Sequence, residues 1–77
     1  MQYQVQFKAS VLNDLQHIGP TKGERILRDI YQKLSQDPTR GDLLKLGKSE
    51  LWQHKVGEFT VVYTFTEAAL TILSIME

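Results

Sequence analysis

The sequence predicts an α+β fold in two layers, a helical hairpin lying on one face of a sheet built from three or four antiparallel strands after an opening strand. Three observations predict it. Leu51–Phe65, LWQHKVGEFTVVYTF, reads as two strands around a tight turn. Residues 9–36 hold two amphipathic helical stretches broken by Gly19-Pro20. Alternating apolar residues open the chain at Tyr3-x-Val5-x-Phe7 and close it at Leu70–Met76. Helices segregated from hairpin-connected strands make a two-layer α+β domain.

The hairpin organises the rest. Glycine at the first of two loop positions, Gly57-Glu58, suits a type II′ turn, whose twist matches the flanking strands. Pairing Val56 with Phe59 sets His54 opposite Val61 and Trp52 opposite Tyr63. Side chains alternate across a strand, so Trp52, His54, Val56, Phe59, Val61, Tyr63 and Phe65 share a face, which is the core side. Leu51, Gln53, Lys55, Thr60, Val62 and Thr64 share the mixed face, where any chemistry has to happen.

Taken in order, Tyr3–Phe7 is a half-buried strand. Val11, Leu12, Leu15 and Ile18 recur at helical spacing, with Ser10 as the expected cap. After Gly19-Pro20, Thr21 and Glu24 have the spacing of a capping box. Ile26, Leu27, Ile30, Tyr31 and Leu34 then form an amphipathic stripe running to Ser35, and Asp37-Pro38 ends the helix. Leu43, Leu44 and Leu46 lie in a polar connection, as a brief strand or a loop under the sheet edge. If Phe65 opposes Leu70, then Leu70, Ile72, Ser74 and Met76 face the helices, while Thr71, Leu73 and Ile75 face the mixed side. No repeat or linker divides residues 1–77, which are expected to form a single domain.

Composition narrows the function. The chain has 77 residues, nine basic and nine acidic, and no net charge. All nine basic residues lie at or before Lys55, and the total argues against tight nucleic-acid binding by this chain alone. There is no cysteine, so disulfides and thiolate metal sites are excluded. His17 and His54 fall on different elements and make no metal spacing, so neither metal nor cofactor is expected. No stretch reaches the roughly 20 apolar residues of a membrane span, and the expectation is a cytoplasmic domain.

Residues with chemical potential each have a plainer reading beside the functional one. Lys55 is a candidate phosphate ligand or catalytic cation, and equally a solubilising charge on a solvated strand. His54 has the titration of a general base, but its register places it among core residues, partly buried and hydrogen-bonded. The cations of the second helix, Lys22, Arg25, Arg28 and Lys33, are interspersed with Glu24 and Asp29, as on any solvated face. Val62, Leu73 and Ile75, with Leu51 at the margin, are expected to form an apolar strip on the face away from the helices. Such a strip calls for a partner protein or a second copy in a homodimer.

Several segments together carry a resemblance. They are Tyr3-x-Val5-x-Phe7, the helix ending at Leu34 before Asp37-Pro38, Leu44-Lys45-Leu46 before Leu51-Trp52, Val56-Gly57-Glu58-Phe59-Thr60-Val61-Val62-Tyr63, and LTILSI from Leu70. In this series the chain resembles the RelE/ParE superfamily of toxin–antitoxin toxins over nearly its whole length. The resemblance implies the toxin of a toxin–antitoxin pair, bound and neutralised by a cognate antitoxin and acting as a translational repressor through mRNA cleavage on the ribosome. The alternatives within the family are a ParE-like inhibitor of DNA gyrase, or a non-toxic member that binds antitoxin alone.

The same comparison shows departures. Where the family has an arginine in the second hairpin strand, this sequence has Thr60. Of two basic positions common in the first hairpin strand, one is Gln53, and Lys55 alone remains. The basic, tyrosine-containing tail expected after the last strand is not seen before Glu77. Cleavage through a 2′-hydroxyl needs a base to activate the nucleophile and a cation to stabilise the charged phosphorane. Threonine and glutamine supply neither, so the sequence predicts weak or absent cleavage.

Overall fold

A computed structural model describes residues 2–77. Strand β1 (Gln4–Phe7) leads into helices α1 (Ala9–Ile18) and α2 (Pro20–Asp29). The second helix continues as one π-helical turn, Ile30–Leu34, and Pro38–Arg40 forms a 3-10 turn. Four strands follow: β2 (Asp42–Leu46), β3 (Ser49–Val56), β4 (Phe59–Phe65) and β5 (Ala69–Met76). The sheet order is β1-β5-β4-β3-β2. β2 to β5 pair antiparallel as expected, whereas β1 joins parallel to β5, with Val5 beside Leu70 and Phe7 beside Ile72. A parallel neighbour needs a crossover, and the helical hairpin supplies it.

Local chemistry accounts for the element ends, in places differently from the sequence reading. Ser10 does not cap α1; Lys8 holds that position and offers no side-chain bond. Thr21 does not open α2 either. The helix begins one residue earlier, at Pro20, where a missing N–H costs nothing and the fixed φ is already helical. Gly19 between the helices has φ +94°, a conformation that favours glycine, and its N–H donates to the Leu15 carbonyl at 3.1 Å. In the hairpin, Gly57 has φ +61° and, among the described residues, none other than glycine has positive φ, which fits type II′ and excludes type I′. The Leu43–Leu46 patch is a true edge strand, β2.

The hairpin register is the expected one, from Val56 with Phe59 to Trp52 with Tyr63. Its inner face packs under the helices: Val56, Phe59, Val61 and Tyr63 are buried with Val11, Ile26, Ile30, Leu34, Leu70 and Ile72. Burying each large apolar side chain contributes about 1.5–3 kcal/mol. Tyr63 is the largest fully buried side chain; its ring stacks against those of Trp52 and Phe65, and its hydroxyl donates to the Pro38 carbonyl. Burial pushes this phenol up to about 12.

One expectation fails. Phe65 does oppose Leu70, but the β4–β5 register shifts between Val62 and Tyr63, so that Tyr63 pairs with Ile72, Val62 with Ser74 and Val61 with Ile75. Leu73 is the extra residue of a β-bulge, and beyond it every side chain changes face. Ile75 therefore lies in the core, 5% exposed, rather than on the open face. Met76, expected inside, is 51% exposed. The backbone N–H of Ile75 is held by the Asp14 carboxylate of α1 at 3.3 Å, where β1 has ended and no strand lies beside it.

Two outcomes follow. Ile75→Asp should cost on the order of 3–5 kcal/mol in urea unfolding, as a charge placed in the core, whereas Leu73→Asp should cost less than about 1 kcal/mol. A β5 without the bulge would reverse the two. Separately, a Cβ at Gly41 would collide with the Tyr63 hydroxyl and lie 2.6 Å from the Gln53 carbonyl oxygen. Gly41→Ala should accordingly lower stability by about 1–3 kcal/mol, read from the same unfolding curve.

Candidate functional site

The open sheet face is ordered by cross-strand rows. Lys55 of β3, Thr60 of β4 and Met76 of β5 form one row near the hairpin turn. Asp42, Gln53, Val62 and Ser74 form the next. Leu44 faces Leu51, and Thr64 faces Thr71, whose hydroxyl reaches the Gln6 side chain at 3.4 Å. Of the sequence-predicted site residues, Lys55, Leu51, Val62 and Leu73 share this face. Ile75 does not, because the bulge turns it inward.

The apolar strip is thus shorter than expected on β5 and longer on β2. Leu51, Val62 and Leu73 are half-buried, and Leu44, which the sequence reading left unassigned, extends the strip to the sheet edge. The alternation of Leu44 and Leu46 with Lys45 was the available signal for it. Met76 adds an exposed apolar side chain beside Thr60, and nothing in its spacing announces the change of face.

Lys55 is exposed, and among the described residues it has no ion-pair partner. Its cross-strand neighbour, Thr60, is neutral, and in the adjoining row Gln53 and Val62 are neutral while Asp42 carries a carboxylate. Neither histidine lies in this group. His17 on α1 binds the Asn13 carbonyl through Nδ1 at 2.8 Å. His54 points to the helices, as expected, and its Nε2 meets Asp29 Oδ2 at 2.8 Å with the ring 15% exposed. Lys33 Nζ takes the other oxygen of Asp29 at 3.2 Å. Among the described residues no cluster of three metal-ligating side chains occurs. The face can present a single cation to an anion and an apolar strip to a protein. The Asp42 carboxylate, on the edge strand, lies in the row next to Lys55.

Asp29 ties α2 to β3. Partial burial pushes its carboxyl up, but hydrogen bonds from His54 and Lys33, with their charges, outweigh burial and hold it below the usual range. None of the described helices is long and apolar enough to cross a membrane.

No protein-family model and no curated protein matches the sequence. Solved structures do. A chain of the toxin–antitoxin complex RelBE2 from Mycobacterium tuberculosis superposes with a TM-score of 0.89 at 20% identity, over 97% of this chain and 90% of that one. The chain has the RelE-superfamily fold. A chain of the archaeal RelE–RelB complex from Pyrococcus horikoshii matches this RelE-like chain with a TM-score of 0.73 at 26% identity, over 99% of this chain and 94% of that one. A mutant E. coli RelE toxin in the free state gives 0.78 at 17% identity, over 100% and 84%. The two-helix layer and five-strand sheet are common to the RelE-like chain and these neighbours.

The Asp29 bridge has a pH signature. Its folded pKa is depressed, so the stability it contributes is present above the ordinary Asp value of 3.8 and is lost as pH falls from there through the lower folded value. Between about pH 5 and about pH 3 the wild type should lose more stability than Asp29→Asn, measured by urea midpoints. Equal losses would show that the bridge is not coupled to folding.

Proposed function

We propose that this chain is the toxin of a toxin–antitoxin pair, a cytoplasmic translational repressor neutralised by a cognate antitoxin protein. The observation that carries the reading is the match to the Pyrococcus horikoshii RelE–RelB complex, which spans 99% of this chain at 26% identity. The Mycobacterium tuberculosis match, also within a toxin–antitoxin complex, supports it. The open face suits an antitoxin better than a substrate. The strip of Leu44, Leu51, Val62 and Leu73 lies on a largely uncharged surface, and an amphipathic segment laid across it would remove apolar area from water.

Repression in this reading rests on occupying the ribosomal site more than on cutting RNA. Lys55 can hold a phosphate, but Thr60 and Gln53 beside it supply no base, and His54 is committed to Asp29 on the opposite face. A gyrase-directed activity is the second reading. Zero net charge and the neutral Thr60 and Gln53 favour it over a competent nuclease.

Induction in bacterial cells separates these readings by what stops first. Amino-acid incorporation should fall before DNA damage appears. DNA damage first would move the target to gyrase, and unimpaired growth would remove toxicity. In a purified translation system the chain should cleave ribosome-bound mRNA at least ~100-fold more slowly than a competent RelE toxin, since general acid–base catalysis contributes about 10²–10⁴-fold. Efficient cleavage abolished by Lys55→Ala would contradict this and show that one cation with the ribosome's own groups suffices.

A further inference from the structure

Among the described residues of its strands, the open sheet face carries two charges, and they are of opposite sign. Asp42 is the first residue of β2, at a corner of the sheet, and faces Gln53 across the ladder. Lys55 lies one row further along β3, past the start of β2, and faces Thr60. Both charged side chains are exposed, and among the described residues neither has an ion-pair partner. Diagonal neighbours on one face of an antiparallel pair lie about 7–8 Å apart, within joint reach of a long side chain and a single bound nucleotide. Gln53 is flanked by Leu51 on its own strand and Val62 on the next, both half-buried, which gives the ring of a base an apolar surface to lie on.

We propose that this corner reads a guanine of ribosome-bound mRNA, with Lys55 on the phosphate and the Asp42–Gln53 pair on the Watson–Crick edge of the base. The inference rests on the translational-repressor reading and gives the open face a defined ligand. Sequence-specific RNA recognition takes unpaired bases by their edges, and an unpaired codon leaves that edge free. An ionised carboxylate can only accept hydrogen bonds. Guanine alone places two donors side by side, N1–H and N2–H, so it can give both to Asp42. Adenine and cytosine set an acceptor beside their donor, and uracil flanks its single donor with two acceptors, which a carboxylate repels. Gln53 completes the match, because its amide N–H can donate to guanine O6. Residues directly opposite across antiparallel strands have Cβ atoms about 4.5–5.5 Å apart, close to the width of one base edge. The negative charge of Asp42 also turns phosphate away from its own row, which fixes the backbone at Lys55 and the base toward the edge strand. Phosphate contacts position a nucleic acid and base contacts specify it, and here the two tasks fall to different residues. An antitoxin segment lying on Leu51 and Val62 would cover the same place, so neutralisation and nucleotide binding exclude each other.

Amide-shift titration of the full chain with the RNA trinucleotides AGA, AAA, ACA and AUA tests the proposal. AGA should bind at least ~5-fold more tightly than the other three, with shifts centred on Asp42, Gln53 and Val62. Asp42→Asn should bring the four within ~2-fold of one another, whereas Lys55→Ala should weaken all four alike and keep the order. For one phosphate contact on a single strand, wild-type affinity should fall about 5-fold per tenfold rise in salt, and Lys55→Ala should remove most of that dependence. Both side chains are exposed, so the thermal midpoints of the variants should match the wild type. Equal affinity of the wild type for the four trinucleotides, no shifts on the open face with any of them, or a guanine preference that survives Asp42→Asn would each overturn the proposal. Induction in cells reports on the target and this titration on the base, so either reading can fail alone.

Discussion

The structure depends on a single buried tyrosine. Tyr63 sits at the middle of β4, the central strand, with no exposed surface, and its ring packs against those of Trp52 and Phe65. A buried hydroxyl without a partner would cost about 1–3 kcal/mol, and the Pro38 carbonyl removes that cost. The bond also draws the segment after the π-helical turn down onto the sheet, so the chain leaves the helical layer and enters β2 at a defined place. Gly41 is required by the same contact, because the backbone passes too close to the phenol for any side chain. Core packing, loop path and edge-strand position thus rest on one side chain.

The bulge at Leu73 shapes the open face as the tyrosine shapes the core. Without it β5 would present Ile75 to the open face and lose it from the core. With it, the core gains Ile75 beneath the helices, and the open face keeps a narrower strip on Leu51, Val62 and Leu73. The Asp14 carboxylate holds the freed Ile75 N–H where β1 has ended, which satisfies the backbone and discourages another strand from adding there. One extra residue therefore sets both the hydrophobic inventory of the core and the shape of the surface offered to a partner.

The hairpin register and nearly all of the inner face were legible in the sequence, because Gly57 sets the turn and the alternation from Trp52 to Phe65 is unbroken. The inward turn of His54 followed from that register. The bulge was not read from the sequence. Leu70–Met76 carries no glycine or charge to mark the slip, and the one trace of it is the adjacent apolar pair Ile72-Leu73, which breaks the alternation. The parallel pairing of β1 was hidden for another reason: it depends on where the helical hairpin returns the chain, which local pattern does not encode. Thr21 and Ser10 looked like caps because their spacing is right, but Pro20 sets the start of α2 more strongly than a hydroxyl one residue later. On the open face, Lys55, Leu51 and Val62 follow the alternation of the hairpin strands, whereas Leu73 lies at the bulge, where alternation on β5 breaks. Leu44 needed the β2–β3 register to join them.

The strand order has a consequence in time. β5 lies between β1 and β4, and the strand that holds β1 in the sheet is paired to it from Gln4 with Ala69 to Phe7 with Ile72, far along the chain. The opening strand has no neighbour to pair with until Ala69–Met76 has left the ribosome. Long-range parallel pairing of this kind is slow to form. A growing chain can assemble the helices and the β3–β4 hairpin, yet it cannot close its sheet. Completion of the fold, and of any surface that needs all five strands, therefore waits for β5.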